Sequence, residues 1–211
     1  MVTAKDSRQF GDSLPCLLLA TNNKAKVREY RNLLQGLPFR LVTLAERGIT
    51  CEVEEVGKSL EENARLKAVV LSGESGLVAL ADDSGLEVDA LGGEPGRLSA
   101  RYAGEGASDS DRVSYLLSKL KGVPWEKRSA CFRCVIAVAT PEGKLGICYG
   151  ECPGLIGLEP KGEGGFGYDP VFYLPELDRT MAQLSPEEKD RISHRGQAAS
   201  KVPRVLMEMG L

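Results

Sequence analysis

Short, unbroken apolar runs alternate along this chain with segments whose apolar residues recur every three or four positions. CLLLA, residues 16–20, is continuous enough for a strand covered on both faces. KVREYRNLL follows and sets Val27, Tyr30, Leu33 and Leu34 along one helical stripe. FRLVTL (39–44) predicts a second strand, and ITCEVEEVGK an acidic, irregular stretch. Ser59 and Glu62 have capping-box spacing, which predicts a helix to about Leu71 with Gly73 ending it. LVALA (77–81) reads as a buried strand that stops at DDSG, and LEVDA as a separate short strand before the turn GGEPGR. Asp109 to about Lys121 reads as a surface helix.

SACFRCVIAVA and KLGICYGE alternate on either side of PEGK and predict a hairpin. A turn through Glu142 and Gly143 sets Cys148 opposite Ala137. GEGGFGYDP is too rich in glycine for regular structure. Ser185, Pro186 and Glu188 supply an N-cap, a first-turn proline and a capping partner, for a helix that carries Lys189 toward SHRG. Pro203 should break or kink the helix around it. Interleaved strands and helices with one hairpin predict an α/β fold with a mixed sheet. A chain of 211 residues suits one domain, here residues 14–211, with the polar segment 1–13 as a flexible tail.

Composition narrows the partners. Against 30 acidic residues stand 27 basic ones, a net charge of −3, which argues against broad binding to a nucleic-acid backbone. A small phosphate site needs only a few local cations. No apolar run is long enough to span a membrane, and residues 1–13 lack the apolar middle of a signal peptide. The expectation is a cytoplasmic protein with its six cysteines reduced. Cys131 with Cys134, and Cys148 with Cys152, have spacings reminiscent of zinc half-sites, but strand residues three apart face opposite ways. Inert, buried cysteines are the preferred reading.

Three groups of residues carry candidate chemistry. Where the first strand gives way to a helix, Thr21, Asn22 and Asn23 can donate hydrogen bonds, and Lys24 and Lys26 add charge. Such a strand–helix junction suits phosphate, although Thr-Asn-Asn also reads as an ordinary helix cap. Lys67 stands one turn after Asn63 on the second helix and shares its face. Asp82 and Asp83 end an apolar strand, where only one can face a cleft while the other braces a loop. With Glu54 or Glu55 from the acidic loop, that carboxylate can hold Mg²⁺, a hard ion that prefers oxygen. Phe166, between glycines, can stack on a purine. Asp169, Lys189, Ser193, His194 and Arg195 can read a base edge.

The stretches LLLATNNKAKVREY, SLEENARLKA, LADDSGLEVDALGGEPGRLSARYAG, GEGGFGYDPVFY and LSPEEKDRISHRGQA, in this order, resemble the inosine/xanthosine triphosphate pyrophosphatase family. The resemblance spans Leu17 to Gln197. It implies a hydrolase that converts ITP, dITP and XTP to the monophosphate and pyrophosphate. It further implies a long mixed sheet flanked by helices, two lobes with a cleft between them, a homodimer, and Mg²⁺ with Mn²⁺ as substitute. Thr21, Asn22, Asn23, Lys24, Ala25 and Lys26 match the phosphate-binding turn, and Lys67 a phosphate-contacting lysine. Asp83 matches the proton acceptor and metal ligand, Glu54 its partner at the metal with Glu55 one residue away, and Ser84 the cleft wall. Phe166, Gly167, Tyr168, Asp169, Lys189, His194 and Arg195 match the nucleoside pocket. Asn22 departs from the family, which commonly has glycine there. Two alternatives stand beside this reading: a nucleotide sensor that does not hydrolyse, and a pyrophosphatase for modified pyrimidine nucleotides.

Overall fold

A computed structural model describes residues 14–211; the tail expected at 1–13 lies outside the described residues. Among the described residues, eight strands form one mixed sheet, as expected. β1 (Cys16–Leu19) runs parallel to β2 (Arg40–Thr43) on one side and to β3 (Val78–Val88) on the other. β4 (Pro95–Gly96) is a short arm on β3. The sheet continues antiparallel from β3 into β5 (Ser129–Ala139), β6 (Leu145–Ile156), β7 (Phe172–Leu174) and β8 (Arg179–Thr180).

Strand alternation fixes which helix covers which face. α1 (Lys24–Leu33) puts Tyr30, followed by Leu34, against Leu17 and Leu19 of β1. α2 (Leu60–Ser75) puts Ala64, Ala68 and Leu71 against Leu18 and against Ala79 and Ala81 of β3. α3 (Asp109–Lys119) packs Val113 and Leu116 into a second core with Leu86, Val88 and Phe132. α4 (Pro186–Ile192), α5 (His194–Ala199) and α6 (Val202–Glu208) complete the chain, and the last two join the α1 face through Ala198, Val202 and Leu206. No described helix is long and apolar enough to cross a membrane.

Several sequence expectations need correction. β3 runs unbroken through DDSG rather than ending there, because β5 pairs with it from Ala79 to Val88 and supplies hydrogen bonds across the polar residues. Asp82 and Asp83 therefore sit mid-strand. Helix α2 passes Gly73, which faces open space, and ends at Gly76 in the left-handed region (φ 65°). Its capping box is half made: Ser59 accepts from the Glu62 amide, but the Glu62 carboxylate takes the Lys58 amide instead. The β5–β6 turn spans 140–144, closed by the Thr140 amide on Lys144 O, which shifts the register by one residue. Cys148 is thus opposite Ile136, not Ala137. Pro203 lies in the first turn of α6, where its missing N–H costs nothing, so it starts a helix rather than kinking one.

One close approach sets the site. A Cβ at Gly150 of β6 would lie 2.0 Å from His194 O and 2.5 Å from Ala198 N. Only glycine lets α5 rest on the sheet at that depth. Gly150→Ala is expected to cost roughly 1–3 kcal/mol through overpacking, measured as a lower urea midpoint. An unchanged midpoint would show that α5 can lift freely.

Candidate active site

The interior of β3 presents adjacent carboxylates to opposite faces. Asp83 points toward α2, where Asn63 donates from Nδ2 to Asp83 Oδ2 at 3.0 Å. Lys67, one turn later, holds its Nζ 3.5 Å from Asp83 Oδ1 and donates to Glu55 Oε1 at 2.9 Å and to Asp82 O at 2.7 Å. Asn63 and Lys67 converge as their spacing predicts. Glu55 fills the place for which Glu54 was the first choice: Glu55 lines the cleft, whereas Glu54 is exposed and outside its lining. The reason is the extended course of residues 51–57, in which exposure alternates and Glu55 turns inward. Burial pushes the Asp83 carboxyl above the usual aspartate value, and the Glu55 charge adds to the rise against the pull of Lys67 and Asn63.

Asp82 points the other way, into the α1–α5 side. It is an ion-pair hub, not the loop brace expected from sequence. Lys26 Nζ lies 2.9 Å from Asp82 Oδ2, and Arg195 Nη2 3.4 Å from the same oxygen. Burial alone would raise the Asp82 carboxyl, but Lys26, Arg195 and Lys67 hold it far below the usual range.

The strand–helix turn is both a cap and a wall. Asn23 is the N-cap of α1, its Oδ1 accepting from the Ala25 and Lys26 amides, and Thr21 Oγ1 accepts from the Asn23 amide. Thr21, Asn22, Asn23, Ala25 and Lys26 all line the cleft; Lys24 is exposed and lies outside its lining. Asn22 keeps an ordinary negative φ, so this turn does not require glycine there.

At the other end, Phe166 is half-buried beneath two cations, Lys189 Nζ at 4.9 Å and Arg195 Cζ at 5.4 Å from its ring centroid. Glu29 of α1 ties these cations together, accepting from Lys189 Nζ and Arg195 Nη1 at 2.7 Å each. Asp169 accepts from Lys189 Nζ at 2.6 Å and from the Phe166 amide at 2.8 Å, which fixes the glycine loop. Burial opposes charge on Lys189, but Asp169 and Glu29 outweigh it and keep the ammonium protonated. Arg195 also donates to Ser84 Oγ at 3.0 Å. His194 stacks on Phe132 with ring centroids 4.6 Å apart, and burial, with Arg195 and Lys189 nearby, keeps its imidazole neutral. Among the described residues, His194 Nδ1 and Arg195 Nε have no hydrogen-bond partner. Ser193 caps α5, so its hydroxyl is used by the Gly196 amide. Gly167 donates its amide to Asp109, and Tyr168 its hydroxyl to Ser99 O, so both hold the loop as well as bordering the cleft.

These parts enclose one cleft of about 630 Å³, within the range of small-molecule sites. Asp83, Ser84, Lys67, Phe166, Asp169, Lys189, His194 and Arg195 all border it. Sequence reasoning did not find Glu29, Phe132, Arg97 or Arg112. Only Glu29 left a signal, one turn after Lys26 on α1. The donor set suits a hard divalent cation: Glu55 and Asp83 offer oxygens that already share one ammonium, and Mg²⁺ is commonly held by one or two carboxylates plus phosphate.

The Ham1 family model matches residues 17–204. A relative from Geobacter sulfurreducens, a dITP/XTP pyrophosphatase, is 53% identical over 182 residues, covering 86% of this chain and 92% of its own. The dITP/XTP pyrophosphatase of Desulforamulus reducens is 51% identical over 190 residues, covering 90% and 94%. Among solved structures, a HAM1 protein from Coxiella burnetii superposes with a TM-score of 0.83 at 42% identity, covering 92% of this chain and 99% of its own. Family model, relatives and fold agree with the site's geometry: the chain belongs to the Ham1 family.

Proposed function

We propose that this chain hydrolyses the non-standard purine nucleotides ITP, dITP and XTP to the monophosphate and pyrophosphate. The observation that carries the reading is the single cleft that joins an amide-rich turn, a carboxylate pair sharing Lys67, and a cation-flanked aromatic ring. Close relatives named dITP/XTP pyrophosphatase support it.

Asp83 accepts the proton of the attacking water as its oxygen bonds the α-phosphorus. The bond from that phosphorus to the bridging oxygen breaks, and its electron pair leaves with pyrophosphate. Lys26 and Lys67 offset the negative charge of the phosphate oxygens. Glu55 and Asp83 would hold Mg²⁺, or Mn²⁺ in its place, and the ion would supply charge neutralisation and a more acidic water. Lys189, Arg195 and neutral His194 present donors to the purine edge. The six-carbonyl of hypoxanthine or xanthine accepts from them, whereas the adenine amino group leaves buried donors unpaired.

A cytoplasmic location follows from the nucleotide pool such an enzyme clears, and the resemblance supports a homodimer, which sedimentation would test. Pyrophosphate release from ITP, dITP and XTP with Mg²⁺, against ATP and modified UTP, tests the function. Binding without turnover would favour a sensor, and faster turnover of the pyrimidine would favour the third reading. Phe166→Ala is expected to raise KM for ITP by roughly five- to hundredfold, the worth of one stacked base, with a smaller change in kcat. An unchanged KM would count against stacking.

A further inference from the structure

Nearly every cation lining the cleft is already matched by a carboxylate. Lys26 has Asp82, Lys67 has Glu55 and Asp83, Lys189 and Arg195 share Glu29, and Arg112 pairs with Asp109. Arg97 borders the same cleft, is exposed, and has no ion-pair or hydrogen-bond partner among the described residues.

Its backbone is fixed to the catalytic strand. β4 pairs Gly96 with Leu86 and Pro95 with Glu87. Ser99 Oγ donates to Gly96 O at 2.6 Å and accepts from the Leu86 amide at 2.8 Å. A Cβ at Gly85 would stand 2.3 Å from Gly96 O, so the arm rests on β3 immediately beyond Asp83 and Ser84. Farther along the arm, Arg101 Nη2 lies 3.7 Å from Glu55 Oε2. Arg97 also borders a second cavity whose lining includes Lys58 to Glu61, just after the Glu55 loop. The arm thus delivers Arg97 to the side of the cleft where Glu55 and Asp83 stand.

We propose that Arg97 binds the pyrophosphate portion of the substrate and holds it as it departs. Pyrophosphate carries most of the substrate's charge. A guanidinium can grip two phosphate oxygens at once, and Arg97 does so without giving up an existing ion pair. The inference rests on the hydrolytic reading for its substrate, but its measurement does not need turnover.

Calorimetric titration of wild type, Arg97→Ala and Arg97→Lys with inorganic pyrophosphate, and separately with IMP, both with Mg²⁺, tests it. Arg97→Ala is expected to weaken pyrophosphate binding roughly tenfold, the scale of a solvent-screened, charge-assisted hydrogen bond, and to leave IMP affinity unchanged. Arg97→Lys should recover part of the loss. Equal pyrophosphate affinity in wild type and Arg97→Ala overturns the proposal, as does an equal loss for both ligands. A wild type that fails to hydrolyse ITP overturns the function instead, and the pyrophosphate titration still decides Arg97.

Discussion

Asp83→Asn is expected to lower kcat for ITP by roughly 10²–10⁴-fold, the usual contribution of a positioned general base. The fold should survive. Asparagine keeps the side-chain shape, Asn63 can still donate to its carbonyl, and Lys67 retains Glu55. The measurement pairs single-turnover kinetics with thermal unfolding of the same sample. Near-normal turnover in a folded variant would remove Asp83 from the chemistry. Burial raises the affinity of Asp83 for a proton, the direction that the proposed role of proton acceptor needs.

The second large effect belongs to Asp82, which touches no open part of the cleft. Its side chain is fully buried between Lys26 and Arg195. Removing one member of a buried pair leaves its partners uncompensated, at about 3–5 kcal/mol. Asp82→Ala should therefore lower Tm by roughly 10 °C for a domain of this size. It should also raise KM, because Lys26 and Arg195, which it holds, both line the cleft and are proposed to meet the phosphates and the base. Asp82→Asn, which keeps the shape, should lose less. The carboxyl is held below its unfolded value, so the stability it adds is complete above about pH 4 and is lost as pH falls toward its folded value. Acid unfolding of Asp82→Ala should accordingly be less steep than that of wild type. Identical acid profiles would show that Asp82 contributes no proton-linked stability.

Much of the molecule was readable without coordinates. Buried strands such as CLLLA, the Ser185–Pro186–Glu188 helix start and the β5–β6 hairpin are local patterns with local causes. Asn63 and Lys67 share a helix face by spacing alone, and the turn at Thr21–Lys26, read as an α1 cap, is one, with most of its residues lining the cleft. Local pattern failed where a neighbour across the sheet overruled it. DDSG looks like a strand end, yet β5 supplies ten paired positions that carry the strand straight through. The half-made capping box at Ser59 and the one-residue hairpin shift came instead from local alternatives, the Lys58 amide for Glu62 and the closure of Thr140 on Lys144.

Sequence alone thus determined the α/β class, the main elements and most of the residue types that converge on one cleft. Tertiary structure decided which oxygen goes where: Glu55 rather than Glu54 beside Asp83, Asp82 as the link between Lys26 of the first turn and Arg195 of α5, and Glu29 as the tie between Lys189 and Arg195. The reason is range. Helix and strand periodicity act over a few residues, whereas the Glu29–Arg195 and Lys26–Asp82 pairs join positions far apart in the chain, and only packing brings them together.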